Sequence, residues 1–376
     1  MAFPRMTSRL DSLDSWNADW AGLKVAVLGL GSAGFAAADT LAELGAQVLV
    51  VTEQAADEYA RLLSVIGAQL IETDRDRVAP TVDGFAPDVI VASPGFAPSH
   101  PAVRWALESG VALWGDVELA WRVRDKVARP DGSPAEWILV TGTVGKTTTA
   151  ELASLMLVEA GLRAAPCGAN GIPVLDAVRD PAGFDALVLE LSSAQLWYLG
   201  LSAGAGAPQP IASVCLNLGE TALGWHESAA HYRDAMAVVY RFTRIACVYN
   251  KRDDATMRMV EEADVIEGAR AVGVDLGVPG PSDLGIVDGI LADRAFVENR
   301  HTSAAELTTL EHLAGLGLAV PEIVADVLFA AALARSMGAE PASIHRALGS
   351  VEYGRRREVA AEREENADGD EGSAEA

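Results

Sequence analysis

The sequence predicts an α/β protein built from two successive, mostly parallel sheets. Short β-branched runs alternate with helical patterns through the first third of the chain, and the same alternation starts again at Trp137. Two glycine turns, at residues 29–34 and 141–147, each follow a predicted strand and open a predicted helix. A chain of 376 residues, half of them hydrophobic, is long enough for two domains with separate cores.

In the first third, the pattern predicts strands at residues 24–29, 47–51 and 88–92, and helices at residues 32–44, 57–67 and 101–109. A polar stretch rich in Pro, Gly and Asp then interrupts the alternation and predicts a linker. We therefore predict a Rossmann-like domain at residues 1–128, a linker at 129–136 and a second domain at 137–350.

The second domain has the same alternation over a longer range. It predicts strands near residues 186–189, 212–216 and 245–249, and helices near residues 147–160 and 231–241. A Gly- and Pro-rich part at residues 273–299 predicts a small β meander, and helical patterns return at residues 321–336 and 341–348. From residue 351 to 376 the chain is acidic with few apolar residues, which predicts a disordered tail.

Composition excludes several classes of protein. A net charge of −24 disfavours binding to nucleic acid, because phosphate contacts need clustered Lys and Arg. No apolar run reaches the roughly 18 to 20 residues that span a bilayer, and the first ten residues lack the apolar block of a signal peptide. Cys167, Cys215 and Cys247 are widely spaced in apolar surroundings, which predicts reduced, buried thiols. We expect a cytoplasmic protein without a membrane segment.

The first glycine turn has the spacing G-x-G-x-x-G, formed by Gly29, Gly31 and Gly34 between a strand and a helix. In that context backbone amides and the helix N-terminus face a phosphate group. Glu53 ends the next strand, where a ribose-binding acid is expected. The turn predicts a nucleotide, nucleotide-sugar or dinucleotide site; the alternative is that the glycines only allow strand and helix to pack closely.

The second glycine turn reads T-G-T-V-G-K-T from Thr141 to Thr147. It predicts a P-loop in which glycines let successive N–H groups converge on phosphate oxygens, Lys146 contacts the β and γ phosphates, and the hydroxyl of Thr147 binds Mg²⁺. The strict P-loop spacing fails because Val140 stands where a glycine is required. The predicted ATP-binding residues are Gly142, Thr143, Val144, Gly145, Lys146, Thr147 and Thr148, with Lys146 as the catalytic candidate.

The compact form of this turn resembles the Mur ligases and the related folylpolyglutamate synthetases. Four further segments resemble Mur ligase motifs: an SPG turn at residues 93–95, a GD-x-EL helix start at 115–119, an ELSS-x-QL-like segment at 190–196, and the strand ends at Asn217 and at residues 248–250. The segment at 190–196 is most similar to the D-glutamate-adding members. The resemblance runs from about residue 23 to about residue 346, through the first two of the family's three domains.

This resemblance implies an ATP-dependent ligase that adds D-glutamate to UDP-N-acetylmuramoyl-L-alanine during peptidoglycan precursor synthesis. The fold it implies is a Rossmann-like domain for the UDP substrate and a P-loop Mur-ligase central domain, with the third, C-terminal Mur domain absent. It also implies ATP and Mg²⁺ as cofactors, with Thr147 and Glu190 as metal ligands. The substrate-binding residues it implies are Gly29, Gly31, Ser32, Gly34, Thr52, Glu53 and Ser193.

Several positions depart from the family pattern. Val144 replaces the loop asparagine, residues 221–224 replace an Asp-His-x-Asp motif whose histidine binds a second metal, and Met236 replaces a lysine that bridges the metals. Glu322 and Ile323 stand where the family has a His-Asn pair. Binding of a single Mg²⁺ remains consistent with these changes, because Mg²⁺ needs few protein ligands. Because the ligands of the second metal are lost, we expect the chain alone to be a weak or inactive ligase.

Three functions stay open at this point. A ligase complemented by a protein partner would obtain the third domain from another chain. A pseudoenzyme would bind ATP or the UDP-sugar as a regulatory or scaffold protein. A NAD-dependent oxidoreductase is supported only by the first glycine turn and Glu53. His226 is a possible substitute metal ligand, although its neighbours favour a helix-capping or surface role.

Overall fold

The computed structural model describes residues 7–219 and 222–351. The acidic tail predicted at residues 351–376 lies outside this range except for Val351, which is helical and is the last described residue. Two sheets follow one another along the chain, and helices cover both. The predicted α/β class is therefore confirmed. Among the described residues no helix is long and apolar enough to cross a membrane.

The first sheet has the strand order β3-β2-β1-β4-β5, and every neighbouring pair is parallel. Its central strand is apolar and buried after its first residue, Lys24, as expected for a parallel strand covered on both faces. The strands of this sheet are β1 (Lys24–Leu28), β2 (Gln47–Thr52), β3 (Gln69–Glu72), β4 (Val89–Ala92) and β5 (Ala112–Gly115). The helices around it are α1 (Thr7–Asp11), α2 (Ser32–Glu43), α3 (Asp57–Ile66), α4 (Arg75–Phe85), α5 (Pro101–Ser109) and α6 (Asp116–Arg122).

The second sheet begins at Glu136. Its strands are β6 (Glu136–Thr141), β7 (Ala164–Gly168), β8 (Ala186–Glu190), β9 (Ala212–Cys215), β10 (Ala246–Asn250), β11 (Arg270–Val274), β12 (Asp283–Val287), β13 (Ile290–Asp293) and β14 (Ala305–Thr309), in the spatial order β14-β13-β12-β11-β10-β9-β6-β8-β7. Strands β6 to β12 pair in parallel, whereas β12, β13 and β14 pair antiparallel. The predicted meander therefore corresponds to strands β12 to β14, which extend the main sheet in antiparallel pairs. Its first strand, β12, also pairs in parallel with β11.

The helices of the second unit lie on both faces of its sheet. They are α7 (Lys146–Glu159), α8 (Val174–Arg179), α9 (Ser193–Leu201), α10 (Leu223–His226), α11 (Ala229–Ala237), α12 (Asp254–Glu261), α13 (Leu310–Gly315), α14 (Pro321–Ser336) and α15 (341–351). The single helix predicted at residues 231–241 is wrong at its end, because the chain tightens into a 3₁₀ turn at Val238–Tyr240. Cys167, Cys215 and Cys247 are free and buried, and burial raises the pKa of the Cys167 thiol to about 12. The prediction of reduced thiols is confirmed.

The two sheets share one apolar interface. A single core cluster contains Trp114 of β5 and Leu196 of α9, and α9 packs against β5. Polar side chains also join the units inside this interface. The amide of Gln195 donates to Asp116 over 2.8 Å, and the hydroxyl of Ser202 donates to Glu118 over 2.6 Å. Buried polar groups that are paired in this way favour one relative position of the two sheets.

Candidate nucleotide-binding site

The turn between β6 and α7 lies inside the second sheet and not at its edge, because β6 pairs with β8 on one side and β9 on the other. Gly145 is the N-cap residue of α7, and no side chain caps this helix end. The first N–H groups of an α-helix have no partner within the helix, and they carry partial positive charge. The turn therefore presents an uncapped helix N-terminus, as the sequence predicts.

Two glycines of this turn have a steric reason to be glycine. Both Gly142 and Gly145 have positive φ angles, of 150° and 88°. A Cβ atom at Gly142 would lie 2.9 Å from the side chain of Leu216, and one at Gly145 would lie 2.5 Å from a carboxylate oxygen of Asp326. A larger residue at either position would displace the turn from its neighbours.

Asn217, which follows strand β9, holds the turn in place. Its Oδ1 accepts hydrogen bonds from the N–H groups of Thr143 (3.0 Å) and Val144 (2.9 Å), and its Nδ2 donates to the carbonyl of Val144 (2.9 Å). The N–H groups of Thr143 and Val144 are therefore already engaged. The N–H groups at residues 145–148 remain for a phosphate. Of the predicted ATP-binding residues, these are therefore the best placed to bind one.

Lys146, Thr147 and Glu190 lie together at the start of α7. The Nζ of Lys146 is 3.3 Å from the carbonyl oxygen of Thr143, so the ammonium group folds back over the turn. The hydroxyl of Thr147 donates to Glu190 Oε2 over 2.8 Å, and Asn170 Nδ2 donates to Glu190 Oε1 over 2.7 Å. Glu190 ends β8 and is only 3% exposed. The structure thus brings the two predicted metal ligands into contact and adds Asn170, which the sequence did not indicate.

A cavity of about 650 Å³ opens beside this turn. It lies between Val144 and Thr148 on one side, the ends of strands β9 to β11, and Phe329 on helix α14. Arg252 and Asn250 supply polar groups at its wall. Its volume is in the range of about 300–1,000 Å³ that is typical of small-molecule sites.

Asp326 on helix α14 is the unexpected group in this cavity. Its Oδ1 lies 3.4 Å from the hydroxyl of Thr149 and borders Gly145 of the turn. Burial, together with the nearby carboxylate of Glu322, raises the pKa of the Asp326 carboxyl to about 7. A carboxyl with this pKa, beside a loop suited to phosphate, was not predicted because it lies about 180 residues beyond the turn.

The region that replaces the family's second metal ligands is apolar. Met236 is 1% exposed, and its Sδ lies 3.6 Å from the hydroxyl of Thr141. The helix-capping or surface role favoured for His226 is wrong, because this residue is 2% exposed at the end of α10. Its ring packs against Trp225 and Tyr232, and burial lowers the pKa of the imidazole. Among the described residues neither ring nitrogen has a hydrogen-bond partner; residues 220 and 221 lie outside that part of the chain.

The first glycine turn lies at the start of α2. This helix begins at Ser32, with Gly31 as its N-cap and no side-chain cap, so its N–H groups are open to a ligand. A Cβ at Gly34 would lie 2.2 Å from the carbonyl oxygen of Gly29, which has a φ of 92°. Close packing alone therefore accounts for Gly34, whereas the open helix end is consistent with a phosphate.

The remaining predicted substrate residues are spread around the carboxyl edge of the first sheet. The hydroxyl of Thr52 is buried and donates to the carbonyl of Gln54. Glu53 Oε1 lies 2.9 Å from His100 Nε2 and 3.6 Å from Arg75, and burial lowers the pKa of His100. The ion partners of Glu53 were not predicted.

Ser193 is the first residue of α9. The residue before it, Ser192, forms a capping box with Gln195. The helix that Ser193 begins belongs to the second unit and packs against β5 of the first sheet. This position between the units is consistent with a residue that contacts a substrate held by both.

Comparison with known proteins agrees with this site. Residues 140–273 match the family described as Mur ligase middle domain. The chain is 56% identical over 336 residues to the UDP-N-acetylmuramoylalanine–D-glutamate ligase of Leifsonia xyli, covering 89% of this chain and 65% of the relative. It is 47% identical over 341 residues to the ligase of the same name from Tropheryma whipplei, covering 91% of this chain and 69% of the relative. The chain belongs to the Mur ligase family.

Within that family the similarity is to D-glutamate ligases, and this chain spans about two thirds of the length of the relatives it matches. A solved structure of UDP-N-acetylmuramate:L-alanyl-gamma-D-glutamyl-meso-diaminopimelate ligase from Neisseria meningitides matches with a TM-score of 0.53 and 16% identity. That match covers 87% of this chain and 98% of the other. At this identity it supports the Mur ligase fold alone.

Proposed function

We propose that this Mur ligase chain binds ATP with Mg²⁺ in the turn between β6 and α7, and UDP-N-acetylmuramoyl-L-alanine on the first sheet. The reaction we assign is the ATP-dependent addition of D-glutamate, at a rate that is low for the chain alone. One observation carries the nucleotide proposal. Asn217 fixes a glycine turn whose last residues lead into Lys146 and the open N-terminus of α7. We assign residues 1–128 to the substrate and residues 137–350 to ATP.

The residues at the turn fit a magnesium ion. Thr147 and Glu190 offer a hydroxyl and a carboxylate oxygen within 2.8 Å of each other, and Mg²⁺ prefers such hard oxygen ligands while keeping several waters. Bound there, the ion would supply positive charge beside the terminal phosphates. Lys146 would supply a second positive charge once its ammonium group leaves the carbonyl of Thr143.

The low rate that we propose rests on two positions. Ala222 and Met236 stand where the family motif has a metal-binding histidine and a bridging lysine, and neither side chain binds Mg²⁺. Met236 is also buried in the core. Nucleotide binding does not depend on either residue. A nucleotide-binding protein with regulatory or scaffold function, acting with a protein partner, is therefore the second candidate.

The test of nucleotide binding is a thermal shift with ATP and Mg²⁺. A ligand that binds only the folded state stabilises it by about 2.7 kcal/mol at a hundredfold excess over Kd. We expect millimolar ATP with Mg²⁺ to raise the Tm of the wild type and not of Lys146→Ala. Lys126→Ala is the control, because Lys126 pairs with Glu43 on the surface, far from the turn. Absence of a shift in the wild type would show that the P-loop interpretation is wrong.

The test of the first sheet compares two ligands. Calorimetric titration with UDP-N-acetylmuramoyl-L-alanine and with NADH distinguishes a uridine nucleotide site from a nicotinamide site. We expect tighter binding of the uridine nucleotide, because the first glycine turn occurs in a Mur ligase chain. Tighter binding of NADH would place the protein among the oxidoreductases.

A further inference from the structure

Two histidines meet at the far end of the second sheet, away from the nucleotide cavity. His312 lies on α13 and His345 on α15, and their Nδ1 atoms are 3.1 Å apart. The hydroxyl of Thr308, on β14, lies 3.0 Å from Nδ1 of His312 and 3.2 Å from Nδ1 of His345. Three polar atoms from three elements thus converge on one point.

The spacing of the two nitrogens matches a shared metal ion. Imidazole nitrogens bind Zn²⁺ at about 2.0–2.1 Å, so two of them on one ion at an angle between 90° and 110° lie about 2.8–3.4 Å apart. The 3.1 Å between the two Nδ1 atoms falls within that range. The two rings are 4.1 Å apart between centroids and inclined by 41°.

The pair is accessible to a metal ion from solvent. Neutral imidazole is the form that binds metal, since a proton and a metal ion compete for the same lone pair. His345 is exposed and His312 is half-buried, so an ion has access from solvent.

We propose that His312 and His345 bind a divalent transition-metal ion such as Zn²⁺, Cu²⁺ or Ni²⁺ through their Nδ1 atoms, with Thr308 beside it. Nitrogen ligands select this class of ion over Mg²⁺ and Ca²⁺. Among the described residues no three His, Cys, Asp or Glu side chains form a metal cluster, so water completes the coordination. A site with two protein ligands binds its ion far more weakly than a four-ligand structural site.

The ion would join parts of the fold that are distant in sequence. His345 lies in the last described helix, α15, whereas His312 follows the edge strand β14. A metal bound by both would fasten α15 to the edge of the sheet. Because binding then stabilises the folded state, Zn²⁺ should raise the Tm of the full chain.

The experiment is a titration of the full chain with ZnCl₂ against a fluorescent zinc indicator. We expect saturable binding near one equivalent in the wild type, and a loss of affinity of about tenfold or more in His312→Ala and in His345→Ala. His301→Ala is the matched control: His301 is exposed near the same edge, and only its backbone carbonyl accepts a hydrogen bond in the described structure. Wild-type protein without saturable binding, or equal affinity in His345→Ala, would overturn the proposal.

A second measurement needs no variant. Electron paramagnetic resonance of the wild type with one equivalent of CuCl₂ should show superhyperfine coupling to two nitrogens. A spectrum with oxygen ligands only would contradict a two-imidazole site. Circular dichroism of each variant without metal checks that the fold is retained, and the exposed His345 is the substitution least able to disturb it.

Discussion

The carboxyl of Asp326 makes the stability of the fold depend on pH in a direction that can be measured. In the folded chain its pKa is raised from 3.8 to about 7, chiefly by burial. Between those values the unfolded chain has released the proton and the folded chain has kept it, so stability falls as pH rises from about 4 to about 7. Above that range the folded chain bears an ionised carboxylate beside Gly145. Asp326→Asn removes this penalty.

The size of the effect follows from the pKa shift. Three pKa units correspond to about 4 kcal/mol. Because the carboxyl is partly open to the cavity, screening by solvent reduces this to about 1–2 kcal/mol. We expect Asp326→Asn to raise the free energy of unfolding by that amount at pH 8 and by clearly less at pH 5. Urea denaturation at both pH values measures it.

The control is Asp234→Asn, since Asp234 is an exposed residue on α11. That variant should change the free energy of unfolding by less than about 0.5 kcal/mol at either pH. Equal stabilisation by Asp326→Asn at pH 5 and pH 8, or no stabilisation at pH 8, would refute the assignment of a buried, proton-retaining carboxyl at this position.

Three further predictions concern the turn and the interface. Asn217→Ala removes three hydrogen bonds to the turn and should lower the Tm. It should also lower the affinity for ATP by about tenfold, which calorimetry measures. Glu190→Gln should make ATP affinity independent of Mg²⁺, and a Mg²⁺ series with constant ATP tests this. Arg122→Met leaves the buried carboxylate of Glu118 without its ion partner and should lower the free energy of unfolding by about 3–5 kcal/mol, as measured by urea denaturation. A decrease below about 1 kcal/mol would contradict a stabilising buried ion pair.

Sequence patterns predicted the buried, central elements and missed those at the edges. Strands β1, β4, β6 and β9 are mostly apolar and buried, and their apolar runs between turns are visible in the sequence. Strand β3 is mostly exposed at the edge of its sheet, so its pattern is weak. Helix α4 contains Pro80, which disfavours a helix in any local prediction. Both elements form because of packing against the rest of the domain, which a local sequence pattern does not report.

The candidate site was predictable where it is local in sequence and not where it is assembled from distant segments. The turn from Gly142 to Thr148 was found because glycines and a lysine occur together between a strand and a helix. Asn170 and Asp326 reach the turn from other helices and loops, and no spacing rule connects them with it. His226 was misjudged because its sequence neighbours, Trp225 and Glu227, do not report burial, whereas in the fold its ring packs against Trp225 and Tyr232.

The most direct test of the account is ligation by the purified chain. The assay measures phosphate release with UDP-N-acetylmuramoyl-L-alanine, D-glutamate, ATP and Mg²⁺, and mass spectrometry confirms the product. Losing one preorganised charge-stabilising group lowers the rate about 10²-fold to 10³-fold. The effects of losing two ligands of one metal need not multiply, because the two ligands act together. We predict that ATP binds but that turnover is at least about 10²-fold below that of a full-length D-glutamate ligase. Turnover comparable to the full-length enzyme would contradict the account, and His226 would then be the first residue to examine as a metal ligand.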